Sequence, residues 1–109
     1  MQKVITPAQF TEITATTTAT TDGGNFCVTG GKNYYSIDAF EFADCTVKFV
    51  VDHQRVTEDN DWVFFFDAHS NLKQFTLIEI WEFDDASEAA LFYAKKISED
   101  VLNQMLTGV

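Results

Sequence analysis

The chain is poor in the residues that mark many specialised proteins. It has one proline, two cysteines and two histidines in 109 residues, and seven lysines and arginines against 17 acids. No stretch approaches the ~20 consecutive apolar residues that cross a bilayer. The opening Met1-Gln2-Lys3-Val4-Ile5 has no apolar run behind it, so it reads as neither a signal peptide nor an anchor, and the expected location is cytoplasmic. A net charge of −10 with so few basic residues argues against direct binding to nucleic acid or to a membrane surface, because both need lysine and arginine in number to neutralise phosphate. Such a charge suits solubility, or attraction to a basic protein.

Scarcity also limits the chemistry. Cys27 and Cys45 lack C-x-x-C spacing and read as reduced thiols on strands, with one disulfide open to them in an oxidising compartment. Neither His53 nor His69 has a cysteine or second histidine at metal-ligand spacing. Glu58-Asp59-Asn60-Asp61 lacks the alternating acids, central glycine and terminal glutamate of a calcium loop and reads as a solvated turn. Gly23-Gly24 and Gly30-Gly31 each precede an expected strand rather than bridging a strand to a helix, so no phosphate cradle is expected. Neither a metal nor a cofactor is implied. Glu79, set among aromatics, is the best candidate for a raised pKa, but no catalytic partner accompanies it, and the expected function is non-enzymatic.

What the chain has in quantity is apolar surface: 46% of its residues are hydrophobic and 15% aromatic, enough for one folded domain spanning residues 1–109. Thr6-Pro7 has the form of a helix start and predicts a short helical turn. Residues 13–21, I-T-A-T-T-T-A-T-T, are β-branched and alanine, which predicts an edge strand with Thr14, Thr16, Thr18 and Thr20 on one face. Turns are expected at Asp22-Gly23-Gly24-Asn25 and at Gly30-Gly31-Lys32-Asn33. In the strand over residues 34–42, the apolar set moves from Tyr35, Ile37 and Ala39 to Phe40 and Phe42, a one-residue shift of the kind a β-bulge produces. Residues 46–56 alternate as a half-buried strand, Val47, Phe49 and Val51 on one side, Lys48, Val50 and Asp52 on the other.

Residues 61–83, D-W-V-F-F-F-D-A-H-S-N-L-K-Q-F-T-L-I-E-I-W-E-F, predict a hairpin too apolar for one wet face. A four-residue loop at 57–60 and a three-residue loop at 70–72 set Val51 against Phe66, His53 against Phe64, Phe66 against Thr76, Phe64 against Ile78 and Trp62 against Ile80. That register gives a core face of Val47, Phe49, Val51, Phe64, Phe66, Ile78 and Ile80. A helix from about Ala86 to Leu106 follows, capped by Asp85 with Glu88 three residues on. Its stripe of Ala90, Ala94, Ile97, Val101 and Met105, flanked by Leu91, Ser98 and Leu102, is expected to close the core.

The expected fold class is therefore α+β, an antiparallel β-meander of about five or six strands with one long C-terminal helix packed on one face. The same register leaves Val50, Phe65, Phe75, Leu77, Glu79 and Trp81 on the uncovered face, the composition of a partner-binding surface. Three covers are compatible with it: the N-terminal strands folded back as a sandwich, a second copy of the chain, or a small-molecule ligand. The function expected is a protein-binding or assembly module, self-associating as a homo-oligomer. The alternatives are an acidic inhibitor or nucleic-acid mimic that occludes a basic site, of a kind phages encode, and a small barrel with a ligand cavity. F-T-L-I-E-I-W-E-F-D-D-A-S-E-A-A-L-F-Y-A resembles the closing strand-to-helix unit of small dimeric ferredoxin-like barrels such as antibiotic-biosynthesis-type monooxygenases, over under a third of the chain and without the helix those folds place between their early strands. The N-terminal half, with G-G-K-N-Y-Y-S-I-D-A-F-E-F-A-D-C-T-V, is similar in texture to small phage virion proteins. Neither likeness assigns a family.

Overall fold

The structure, a computed structural model, describes residues 2–27, 33–56 and 75–107. The chain is α+β, as expected: a five-stranded antiparallel sheet with a long C-terminal helix against it. In chain order the elements are β1 (Lys3–Ile5), α1 (Pro7–Thr16), β2 (Ala19–Cys27), β3 (Asn33–Glu41), β4 (Val47–Val56), β5 (Phe75–Phe83) and α2 (Ala86–Thr107). The sheet order is β1-β5-β4-β3-β2, a meander to which β1 is added at the outer edge of β5.

The N-terminal threonine run corrects the first expectation. Residues 13–16 complete α1 instead of beginning a strand, and β2 starts at Ala19. Thr6 caps the helix reciprocally: its hydroxyl accepts from the Gln9 amide at 3.1 Å, and its own amide donates to Gln9 Oε1 at 2.8 Å. Threonine lowers helix propensity, but here Thr11, Thr14 and Thr16 donate their hydroxyls to the carbonyls of Pro7, Thr11 and Glu12. A ten-residue helix is marginal by itself. Ile13, buried, and Phe10, whose ring meets Phe40 edge-on at 6.1 Å, anchor it to the sheet.

Two turn and bulge expectations change places. Asp22-Gly23-Gly24-Asn25 does not reverse the chain; β2 runs through it with a register shift between Asp22 and Gly24. A Cβ on Gly23 would lie 2.9 Å from the Ile37 carbonyl oxygen, and Gly24 holds φ +132°, so the bulge takes the glycines the turn was to use. β3 pairs with β4 without a break from Asn33↔Arg55 to Glu41↔Val47. The change of apolar phase in β3 therefore reflects two covered faces, with Phe40 on one and Tyr35 and Ile37 on the other. The turn expected at residues 30–33 lies, apart from Asn33, outside the described residues.

The hairpin register is also corrected. β4 pairs with β3 along one edge and with β5 along the other. Val51 faces Trp81, Asp52 faces Ile80, and the register slips between His53 and Gln54, which faces Leu77. Ile80 thereby joins Val50, and Trp81 joins Val51, the reverse of the expected partition. The strict alternation assumed for β5 is broken at residue 78, where the slip inserts an extra residue. Residues 57–74, Phe64, Phe65 and Phe66 among them, lie outside the described residues.

Two apolar clusters result, one on each face. Ile5, Ile13, Phe40, Val50 and Ile80 pack together beneath α1 with Phe10 and Phe42. Val51, Trp81, Phe83 and Ala89 pack beneath α2 with Ile37, Phe49, Phe92 and Tyr93. α2 keeps its expected bounds and cap, the Glu88 amide donating to Asp85 Oδ2 at 2.9 Å. Its contact stripe is rotated from the expected one: Ala89, Phe92, Tyr93, Lys96 and Asp100 face inward, whereas Ala90, Ala94 and Met105 are exposed.

Candidate functional site

Of the six residues expected to form one partner-binding face, Val50 and Trp81 lie on opposite faces of the sheet. Val50 is fully buried beneath α1, and Trp81 is 3% exposed beneath α2, its ring 4.8 Å from that of Phe92. Glu79 is exposed, opposite His53. The backbones of Phe75 and Leu77 pair with Val56 and Gln54, their side chains falling outside the description, and Phe65 lies outside the described residues. The face presumed bare is closed by α1 at Val50, and its apolarity there is core.

Polar groups gather in three places. Lys3, Glu12, Asp44, Lys48 and Glu82 line a cleft of about 400 Å³ beside α1, where Lys48 and Glu82 form an ion pair. Further along the Val50 face, Asp22, Asp38 and Asp52 approach Tyr34. Burial, then Asp52 and Asp22, pushes Asp38 up to about 6. Burial also raises Asp52, against hydrogen bonds from Ser36 and Gln54. Tyr34 is pushed up to about 12 by burial and by the carboxylates of Asp52, Asp22 and Asp38. Among the described residues no cluster of histidine, cysteine and acid could hold a metal ion.

The third place lies beneath the C-terminal half of α2. Here the sheet supplies Asn33, Tyr35 and His53 and the helix supplies Lys96, Glu99, Asp100, Leu102 and Asn103, enclosing a cleft of about 430 Å³. Asn33 opens β3 opposite Arg55, and Tyr35 pairs with His53 across β3 and β4, their rings stacked at 4.7 Å. Asn33 Nδ2 donates to Asp100 Oδ1 at 3.2 Å, and His53 Nε2 lies 2.8 Å from Asn33 Oδ1. A carboxylate only accepts, which turns the amide of Asn33 toward it. The amide oxygen then faces histidine, and His53 must carry its proton on Nε2. Burial, reinforced by Lys96 and opposed by Asp100 and Glu79, holds His53 below the usual histidine range, so it is neutral at pH 7.

Lys96 Nζ stands 5.2 Å from the Trp81 ring centre and 5.5 Å from that of Phe92, a cation held over aromatic faces. Asp100 is 6% exposed, yet among the described residues its Oδ2 has no hydrogen-bond partner. The sequence carries no sign of this site: Asn33 falls in an expected turn and His53 in an expected strand, and no motif singles out Asp100. Asn33 and Asp100 are 67 residues apart, and only the crossing of α2 over β3 joins them.

The outer surface of α2 is apolar. Leu91, Leu102, Met105 and Leu106 are 73%, 55%, 67% and 72% exposed. Among the described residues no helix is long and apolar enough to cross a membrane. Comparison with known proteins finds no matching family model, curated protein or solved structure.

Proposed function

We propose that the chain is a non-enzymatic assembly module that pairs with a second copy of itself, α2 packing on α2. The supporting observation is the exposed stripe. At about 100° per residue, Leu91, Leu102, Met105 and Leu106 fall within an arc of roughly 100°, the width of a buried helix face. Apolar residues scattered singly on a surface need no explanation, but three exposed large apolar residues in the last turns of the helix, Leu102, Met105 and Leu106, on the same arc as Leu91, do.

Charge favours a copy of the chain through this surface. The molecule as a whole carries −10, which opposes association, but α2 has three acids and two lysines, a net charge of −1. The least repulsive surface is thus also an apolar one. A two-fold antiparallel pairing sets Leu91 of one copy near Leu106 of the other and brings Lys95 toward the other copy's Glu99. The expected aromatic sheet face gives way here to a helix face, because Val50 and Trp81 are used inside the fold.

Light scattering on a size-exclusion column tests this. The wild type is expected at twice the 12.3 kDa chain mass at micromolar concentration, and Leu91→Glu/Leu106→Glu at the mass of one chain with an unchanged far-ultraviolet spectrum. A wild type that remains a monomer at the highest soluble concentration, or a double variant that still dimerises, overturns the reading.

A further inference from the structure

The far half of β2 carries an inference independent of self-association. β2 is the edge strand of the sheet, and among the described side chains none of its own joins either apolar cluster. Its residues from Ala19 to Phe26 are exposed apart from the half-buried Gly24. The approach to the strand is tied down: Thr17 Oγ1 and the Thr18 amide both donate to the Glu41 carbonyl, at 2.7 and 2.8 Å. Past the bulge, where Gly24 holds φ +132°, the strand is joined to β3 by the pairing of Gly24 with Ile37 through Cys27 with Tyr34. An edge segment that buries so little apolar surface opens locally at low cost.

Like charges meet at the bulge. Asp22 lies directly opposite Asp38, and Asp52 lies diagonally across from Asp38 on the other side, beside Ser36, so Asp38 stands between two carboxylates on the Val50 face. Both neighbours are held in place: Asp22 Oδ1 accepts from the Gly24 amide at 2.9 Å, and Asp52 Oδ1 accepts from Gln54 Nε2 at 3.2 Å. The same three carboxylates act on Tyr34 of β3 and on Tyr93 of α2, both raised first by burial. Lys48, the other diagonal neighbour of Asp38, is paired with Glu82 in the cleft beside α1 that Lys3, Glu12 and Asp44 also line.

We propose that residues 22–27 of β2 form a proton-operated latch, closed on β3 while Asp38 carries a proton and loosened when Asp38 ionises between Asp22 and Asp52. Opening carries Asp22 away from Asp38, lets water reach the carboxylate, and bares residues 34–37 of β3 as a new sheet edge. Burial first, then Asp52 and Asp22, hold Asp38 up at about 6 in the closed strand, so the closed strand binds the proton more tightly than the open one. Closure is therefore firmest in acid and is lost as pH rises from the ordinary carboxylate range through about 6.

Amide hydrogen exchange of the isotope-labelled full chain, read residue by residue and corrected for intrinsic rates, tests this at pH 5 and pH 7.5, both above the isoelectric point near 4.3. The slowed amides of residues 22–27 are expected to lose about threefold to tenfold in protection between the two, tenfold being about the most that a proton held near 6 supplies over that interval. Low urea should not speed these openings, whereas exchange in β4 should accelerate with urea. Asp38→Asn should abolish the fall, and Asp22→Asn, which keeps an acceptor for the Gly24 amide, should shrink it. Equal protection at both pH values overturns the proposal, as does a fall that survives Asp38→Asn, the absence of any slowed amide in residues 22–27 at pH 5, or exchange there as steep in urea as that of β4. Should Asp38→Asn fail to fold, Asp22→Asn at its exposed position decides the matter: a fall as large as that of the wild type removes the latch.

Discussion

The two faces of the sheet are both covered, but in different ways. α1 is ten residues long and closes its face with Phe10 and Ile13 against Phe40, Val50 and Ile80. The cleft beside it is balanced, Lys48 against Glu82. α2 is more than twice as long, yet its apolar seal lies in its first half, where Ala89, Phe92 and Tyr93 meet Val51, Trp81 and Phe83. Beyond Lys96 it spans polar residues, strands a carboxylate oxygen, and turns leucine and methionine outward. The seal alone would be met by about half of α2. The second half is where residues are arranged against local stability, which is the usual place to look for function.

That contrast can be broken. Phe83→Ala, in the α2 seal, should cost about 3–5 kcal/mol in urea unfolding, because it removes a ring that is almost fully buried. Ile13→Ala should cost about 2–4 kcal/mol if α1 is an equal partner in the core; a loss under about 0.5 kcal/mol would make α1 an ornament and reopen the Val50 face.

A finer test lies in the carboxylates of the Val50 face. Asp38 is held up near 6 in the folded chain, so between its ordinary value and about 6 the folded state binds more protons than the unfolded state. Stability should therefore fall as pH rises through that window, and the favourable contribution is complete only below it. Asp38→Asn should stabilise by roughly 1 kcal/mol at pH 7, allowing for the solvent that reaches the group, with the gain vanishing toward pH 4. A gain that persists at pH 4 would remove ionisation as the cause.

The smallest expected effect is at Cys45, an exposed free thiol in the turn between β3 and β4 with φ +69°. Cys45→Gly should relieve that backbone at a gain of no more than about 1 kcal/mol in thermal unfolding, and a loss would show that the conformation is unstrained.

Legibility in the sequence followed how local the cause was. α2 was read nearly to the residue because its start is written in Asp85 and Glu88, a cap that acts within one turn. The Thr6-Pro7 start of α1 was legible for the same reason, but its length was not. The β-branched run that argued for a strand was overruled by Phe10 and Ile13 finding a core partner in Phe40, which lies 30 residues from Phe10. The partition of β4 into Val51 and Val50 faces was correct. Its extension to β5 failed at the register slip near residue 78, so Trp81 and Ile80 exchanged sides. The candidate site was not legible at all, because Asn33, His53 and Asp100 become neighbours only when α2 crosses the sheet.

The sequence by itself determined the α+β class, the antiparallel meander and the long capped C-terminal helix, since composition, alternation and capping act between near neighbours. Tertiary structure decided which faces are covered, by what, and which polar groups are left unpaired. Those depend on strand register and helix rotation, which are settled by competition among contacts far apart in the chain. One slipped residue in β5 exchanged the faces of Ile80 and Trp81, and a rotation of about 100° in α2 turned Ala90, Ala94 and Met105 outward.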